Sequence, residues 1–198
     1  MTLFDLTGKT AVITGSTKGI GKAIAERMAE HGANIVVSSR KQDACEAVAA
    51  DINENWAKSG NRAVSIPCHI YHKEQLQSLV EQSKAEFGKI DILVCNAAVN
   101  PFHGSALDIP DTAFDRIMEC NIRSNSWLCN MAIPGMIEQK DGVLIIVSSI
   151  GGIRGSKELG AYSISKAADM QIVRNYAVEF GPDNIRANCI APGLIITD

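Results

Sequence analysis

Six short apolar runs alternate with stretches of helical period along the whole chain, and few folds are open to a sequence built that way. The first run, Thr10-Ala11-Val12-Ile13-Thr14, lacks the polar alternation of a half-exposed strand and ends in a glycine-containing turn, as a strand buried on both faces does. From Ile20 the period changes: Ile20, Ala23, Ile24 and Met28 recur at helical spacing, and Gly32 supplies the stop. The same exchange repeats, with strands expected at 34–38, 63–67, 91–95, 143–147 and 185–190. Helices are expected at 42–58, 73–87 and 161–180, with a longer helical stretch at 111–139 broken near Pro134. No linker, repeat or low-complexity tract interrupts the series. The pattern predicts one α/β domain spanning residues 1–198, with a doubly wound, mostly parallel, Rossmann-like sheet and right-handed crossovers.

Charge narrows the function classes. The net charge is −3, and no run of Lys or Arg exceeds two residues, which argues against a partner held by clustered positive charge, such as nucleic acid or an anionic membrane. No apolar run approaches the length of a membrane span, and the first residues lack a basic region followed by a hydrophobic one, so a cytoplasmic protein is expected. The cysteines at 45, 68, 95, 120, 129 and 189 form no Cys-x-x-Cys pair and read as reduced, buried small hydrophobes. Cys68-His69-Ile70-Tyr71-His72 has no second ligand cluster to make a metal site, and none is expected.

The turn after the first strand is Thr14-Gly15-Ser16-Thr17-Lys18-Gly19-Ile20-Gly21. Glycines at a strand-to-helix turn allow a pyrophosphate to approach the helix N-terminus closely. The spacing is G-x-x-x-G-x-G rather than the common G-x-G-x-x-G, and its place between first strand and first helix favours nucleotide binding. Gly8-Lys9-Thr10 resembles the tail of a P-loop, but Leu3 stands where that motif needs glycine. At the end of the second strand an NAD-binding domain places an acidic side chain against the ribose; here the run is Ser38-Ser39-Arg40-Lys41. Arginine pairs with a 2′-phosphate through parallel hydrogen bonds, and Lys18 lies within reach of the same group, so NADP(H) is expected over NAD. Tyr162 and Lys166, four residues apart, share one face of a helix. A neighbouring ammonium favours the phenolate and brings a phenol that ionises near about pH 10 toward neutrality, which makes the pair an acid/base device.

Taken together, these motifs resemble the short-chain dehydrogenase/reductase family. The resemblance runs from Thr14-Gly15-x-x-x-Gly19-Ile20-Gly21 through Cys95-Asn96-Ala97-Ala98, Asn121 and Ser149 to Tyr162-x-x-x-Lys166, and ends at Pro192-Gly193 with Thr197. The runs at 38–42 and 96–102 look most like its NADPH-dependent carbonyl and retinal reductases. The resemblance implies that Tyr162 exchanges a proton with the substrate oxygen as hydride moves, and that Ser149 holds that oxygen. It implies that Lys166 lowers the tyrosine pKa and holds the nicotinamide ribose, and that Asn121 positions a relay water. Ser16, Thr17, Lys18, Ser39, Arg40 and Lys41 would meet the adenosine phosphates, and His69 and Ile70 the adenine. Asn96, Ala97 and Ala98 would line the adenosine ribose side, and Pro192, Gly193, Ile195 and Thr197 the carboxamide. His69 departs from the acidic or amide residue usual there; Cys95 and Ala98 replace an Asn and a Gly.

The expected substrate is a small carbonyl or alcohol, with Val99, Phe102, Ile150, Gly151, Ile153 and Arg154 as apolar-leaning neighbours, and the expected assembly is a homotetramer. Family members continue beyond Asp198 through a substrate-covering segment, a further helix and a seventh strand, so the domain reads as C-terminally incomplete, with its final strand and helices missing. Two alternatives stand beside this reading. One is a 3-oxoacyl-carrier-protein reductase, with Arg123, Arg154 and Lys157 receiving an acidic carrier. The other is a non-catalytic NADP-binding sensor or scaffold.

Overall fold

A computed structural model describes residues 3–58 and 60–197. The six strands are β1 (Thr10–Thr14), β2 (Asn34–Ser38), β3 (Ala63–Ser65), β4 (Ile92–Cys95), β5 (Gly142–Val147) and β6 (Ile185–Ile190). They form one sheet in the order β3-β2-β1-β4-β5-β6, and every pairing is parallel. The helices are α1 (Gly19–Glu30), α2 (Gln42–Asn55), α3 (Lys73–Phe87), α4 (Asp111–Ile117), α5 (Ser124–Gln139) and α6 (Gly160–Phe180). The strand order reverses between β1 and β4. In an open parallel sheet the crossovers on either side of that point diverge and leave a crevice at the carboxyl ends of the strands.

Both faces of the sheet are covered, which is why the strands carry no polar alternation. Val12, Val36, Leu93 and Leu144 point to one face and pack with α3 and α5 residues such as Leu76, Leu79, Leu128 and Met136. Their chain neighbours Ala11, Ile13, Ile35, Val37 and Val94 point to the other, against Ala25 and Ala29 of α1 and Val48 and Ile52 of α2. Truncating a fully buried leucine such as Leu144 would cost about 2–5 kcal/mol. At the edge away from the crevice, buried Asp91 accepts the Thr10 amide at 2.8 Å and pairs with Lys89 at 2.9 Å, tying β1 to the start of β4.

The expected elements are present with small end shifts. β3 is shorter than expected and stops at Ser65. The larger difference lies in the long helical stretch. Pro134 sits inside α5 without ending it, and the irregularity falls earlier, in a π-helical turn at Met118–Arg123. A π turn widens the helix by one residue and is common at functional sites. Asn121 lies in it, fully buried.

Candidate active site

The crevice at the switch point is a cleft of about 550 Å³. Its walls come from the carboxyl ends of several strands: Gly15 and Thr17 to Gly21 after β1, Ser39 and Arg40 after β2, Cys68 to Ile70 after β3, Asn96 to Val99 after β4, and Gly193 to Ile195 with Thr197 after β6. Two stretches far apart in sequence meet there, since a Cβ built on Gly19 would lie 3.4 Å from the Thr197 side chain. Gly19 has φ +54, a left-handed conformation that glycine adopts without strain. Gly21 is required for space instead: a Cβ there would meet the Gly15 carbonyl oxygen at 2.3 Å and Asn96 Nδ2 at 2.5 Å. The turn and the first helix therefore leave a backbone-lined cradle at the α1 N-terminus, shaped for an anionic group.

Two members of the expected set are spent on building this cradle. The buried Ser16 hydroxyl donates to the Ile13 carbonyl at 2.8 Å and accepts the Ser38 amide at 2.9 Å, locking the turn to β2. Asn96 Nδ2 donates to the Thr14 and Gly15 carbonyls at 3.0 and 3.1 Å, so its amide braces the turn, and its exposed edge lines the cleft. Thr17, Lys18, Ile20, Ala97, Ala98 and Ile195 also line the cleft; Lys41 and Pro192 stand outside its wall.

Arg40 and Lys18 are exposed at this end of the cleft, and His69 stands beside them. His69 Nδ1 accepts the Tyr71 amide at 3.3 Å, which leaves Nε2 as the protonated nitrogen of the neutral ring. Partial burial, then the nearby His72, Arg116 and Arg40, hold the His69 pKa below its ordinary value. Sequence reasoning missed Cys68, Cys120 and Leu194 in the wall; nothing in an isolated small or apolar residue marks it as lining a cleft. Burial pushes the Cys68 thiol up to about 12 and raises Cys120 as well, so neither offers a thiolate.

The four residues expected to carry chemistry gather at the end of β5 and on the helices packed there. Ser149 follows β5, is half-buried, and accepts the Gly151 amide on Oγ at 3.0 Å. Close packing brings α6 against it: a Cβ on Gly152 would sit 2.7 Å from the Lys166 carbonyl carbon. Ser148 Oγ donates to the Lys166 carbonyl at 2.7 Å, clamping the helix to the strand end. Tyr162 is half-buried, and the Lys166 ammonium lies 5.6 Å from its ring centroid. Phe102 and Tyr162 share the wall of a second apolar cavity of about 100 Å³.

Asn121 Oδ1 accepts the Val99 amide at 2.8 Å, and Nδ2 donates to the Val99 carbonyl and to Ser165 Oγ, both at 3.0 Å. The π turn thus ties the β4 loop to the helix that carries Tyr162 and Lys166. Lys166 is almost wholly buried, and its Nζ donates to the Val147 carbonyl at 2.9 Å and to Asp169 Oδ2 at 3.1 Å. Asp169 was not foreseen, because a single carboxylate in a helix carries no signal until the fold shows it fully buried.

Comparison with known proteins decides the family. The short chain dehydrogenase profile matches residues 9–198. The chain belongs to the short-chain dehydrogenase/reductase family. Dehydrogenase/reductase SDR family member 4 of Mus musculus is 39% identical over 192 residues, covering 97% of this chain and 67% of the relative. The Homo sapiens protein of that name is 40% identical over 193 residues, covering 97% and 68%. Among solved structures, a short-chain type dehydrogenase/reductase from Mycobacterium marinum superposes with a TM-score of 0.89 at 35% identity, covering 96% of this chain and 76% of that one. A 7α-hydroxysteroid dehydrogenase complexed with NADH and 7-oxo glycochenodeoxycholic acid gives 0.91 at 36% identity, covering 98% and 74%. The family is one of oxidoreductases acting on alcohol and carbonyl groups with nicotinamide cofactors. No described helix is long and apolar enough to cross a membrane.

Proposed function

We propose that this short-chain oxidoreductase interconverts a carbonyl and an alcohol with NADP(H), using Tyr162 as general acid and base. The observation that carries the reading is the gathering of Ser149, Tyr162, Lys166 and Asn121 around the end of β5 and α6, joined through Asn121 to Val99 in the wall of the cleft that also presents Arg40 and Lys18. The close packing of the Gly15 turn on α1 that Gly21 allows leaves a backbone-lined helix N-terminus suited to a pyrophosphate, and the exposed guanidinium of Arg40 fits a 2′-phosphate where a carboxylate would repel it.

When bound, the nicotinamide supplies or accepts the hydride. Ser149 Oγ holds the substrate oxygen and stabilises the charge that develops on it. Tyr162 Oη gives that oxygen a proton during reduction and takes it back during oxidation. Lys166 favours the phenolate form of Tyr162 and binds the nicotinamide ribose. Asn121 holds the loop after β4 against α6, keeping Tyr162 and Lys166 in place. Val99 and Phe102 make the substrate side mostly apolar, as suits a hydrophobic ketone or aldehyde. For the carrier-protein reading, Arg123 adds little, because its guanidinium is held by Glu119 at 2.8 Å.

The test is NADPH oxidation over a panel of ketones, aldehydes and acyl thioesters, for the wild type and Tyr162→Phe. Turnover of free carbonyl compounds by the wild type, with a loss of a thousandfold or more in the variant at unchanged NADPH affinity, is expected. Equal rates in the two proteins would refute the assignment of Tyr162 and favour a binding role.

A further inference from the structure

Lys166 does not stand alone in the interior. Its ammonium has three hydrogens to donate. One goes to the Val147 carbonyl and one to the Asp169 carboxylate, leaving one for the Tyr162 side of the helix. Asp169 is in turn gripped by Asn125, whose Nδ2 donates to Asp169 Oδ1 at 3.0 Å and to the Asn121 main-chain carbonyl at 2.7 Å. A continuous polar chain therefore runs from the π turn through Asn125 and Asp169 to Lys166, with Asn121, Asn125, Lys166 and Asp169 all buried. Lysine buried without a counter-charge loses its proton readily, and only the ammonium form favours a phenolate.

We propose that Asp169 is a positioning residue for Lys166, its buried carboxylate keeping the ammonium charged and aimed so that it acts on Tyr162. The inference rests on the assignment of Tyr162 and Lys166 made above. It differs from the water relay expected of Asn121: the polar chain that reaches Lys166 here runs through the side chains of Asn125 on α5 and Asp169 on α6. Burial raises the Asp169 carboxyl above its ordinary value, and the neighbouring Lys166 ammonium and the Asn125 amide offset part of that rise. The other titratable groups facing the pair are the thiols of Cys95 on β4, Cys129 on α5 and Cys189 on β6, with Tyr176 farther along α6. The hydrogen bond with Cys129 and then burial raise Cys95, and burial raises Cys189, so both stay neutral over the working range, and neither replaces Asp169 as a counter-ion.

The experiment follows kcat/KM for alcohol oxidation against pH in the wild type, Asp169→Asn and Asp169→Glu, with NADPH affinity measured alongside. Asp169→Asn is expected to move the rising limb upward by about one pH unit or more, toward the free phenol, and to lower kcat at least tenfold with KM little changed. Asp169→Glu is expected to restore the position of the limb. A wild-type limb in Asp169→Asn, or one moved to lower pH, would overturn the proposal while leaving the assignment of Tyr162 untouched. Should Asp169→Asn not fold, carboxyl ¹³C shifts of the wild type at neutral pH decide the matter: an ionised Asp169 supports the anchor, and a neutral one overturns it. Activity surviving in Tyr162→Phe would remove the assignment itself and the proposal with it.

Discussion

Replacing Gly21 by alanine adds a single methyl group, and the structure says where it must go. Gly21 lies inside α1, so the change is not one of backbone conformation. An alanine in a helix interior gains about 1 kcal/mol over glycine when the space is open. Here the new Cβ would lie 2.3 Å from the Gly15 oxygen and 2.9 Å from the Gly15 carbonyl carbon, which are backbone atoms. It would also lie 2.5 Å from Asn96 Nδ2, itself fixed by two hydrogen bonds. None of these is a flexible tip that swings aside. Overpacking of this kind costs about 1–3 kcal/mol, so the net loss is up to about 2 kcal/mol and the melting temperature falls by up to about 8 °C. The displaced turn is the proposed pyrophosphate cradle, so NADPH affinity is expected to drop at least tenfold. Thermal unfolding and a fluorescence titration with NADPH read the two effects. Gly181→Ala is the control: its φ is −56 and nothing lies within 4 Å of the added carbon, so a gain of about 0.4–1 kcal/mol is expected. If Gly21→Ala melted and bound NADPH as the wild type does, the claim that close approach at this turn builds the site would be wrong.

Further outcomes follow from the cleft. Arg40→Ala is expected to weaken NADPH binding by about ten- to a hundredfold and to leave NADH binding nearly unchanged, because only the 2′-phosphate loses its partner; parallel titrations with the two cofactors read this, and equal losses would count against the phosphate site. His69 gives a pH signature in the free protein. Its folded pKa lies below the unfolded one, so its contribution to stability is full above the unfolded value, near about 6.5, and is lost as pH falls through the lower folded value. Urea unfolding between pH 8 and 5 is therefore expected to show a shallower decline in His69→Gln than in the wild type; identical slopes would refute the direction of the shift.

What the sequence disclosed and what it withheld divide along a physical line. Strand and helix periods depend on local burial, so the limits of α3 and β6 could be read directly from residues 73–87 and 185–190. The glycine turn and the Tyr162–Lys166 pair were legible because a turn geometry and a helical spacing are local too. The π turn at Met118–Arg123 was not: the same residues form an ordinary α-helix unless tertiary contacts, here Asn121 with Val99 and Ser165, make the wider turn worthwhile. Pro134 misled for the converse reason. Its local signal predicts a break, but Leu128, Cys129, Ala132, Ile133 and Met136 around it are buried in the core, and their packing carries the helix through.

The same distinction explains why Asp169 escaped notice and why it matters. A carboxylate and an ammonium buried together stabilise a fold little compared with apolar residues of the same volume, because both lose their hydration. Removing one partner alone costs far more, about 3–5 kcal/mol, since the other charge is stranded. Lys166, already bound to the Val147 carbonyl, cannot turn to water without breaking that contact at the β5 end, which is also where Ser148 clamps α6. An arrangement so poor as a source of stability, held between Asn125 and the end of β5, finds its physical rationale under the proposed role of Asp169 in the charge it maintains beside Tyr162. Stability and catalysis should then separate in variants of the pair. Replacing Lys166 and Asp169 together by methionine and leucine should restore much of the stability lost in either single change, while leaving turnover at the level of Lys166→Met alone. A double variant no more stable than the sum of its parts would show that the two charges do not act as a pair.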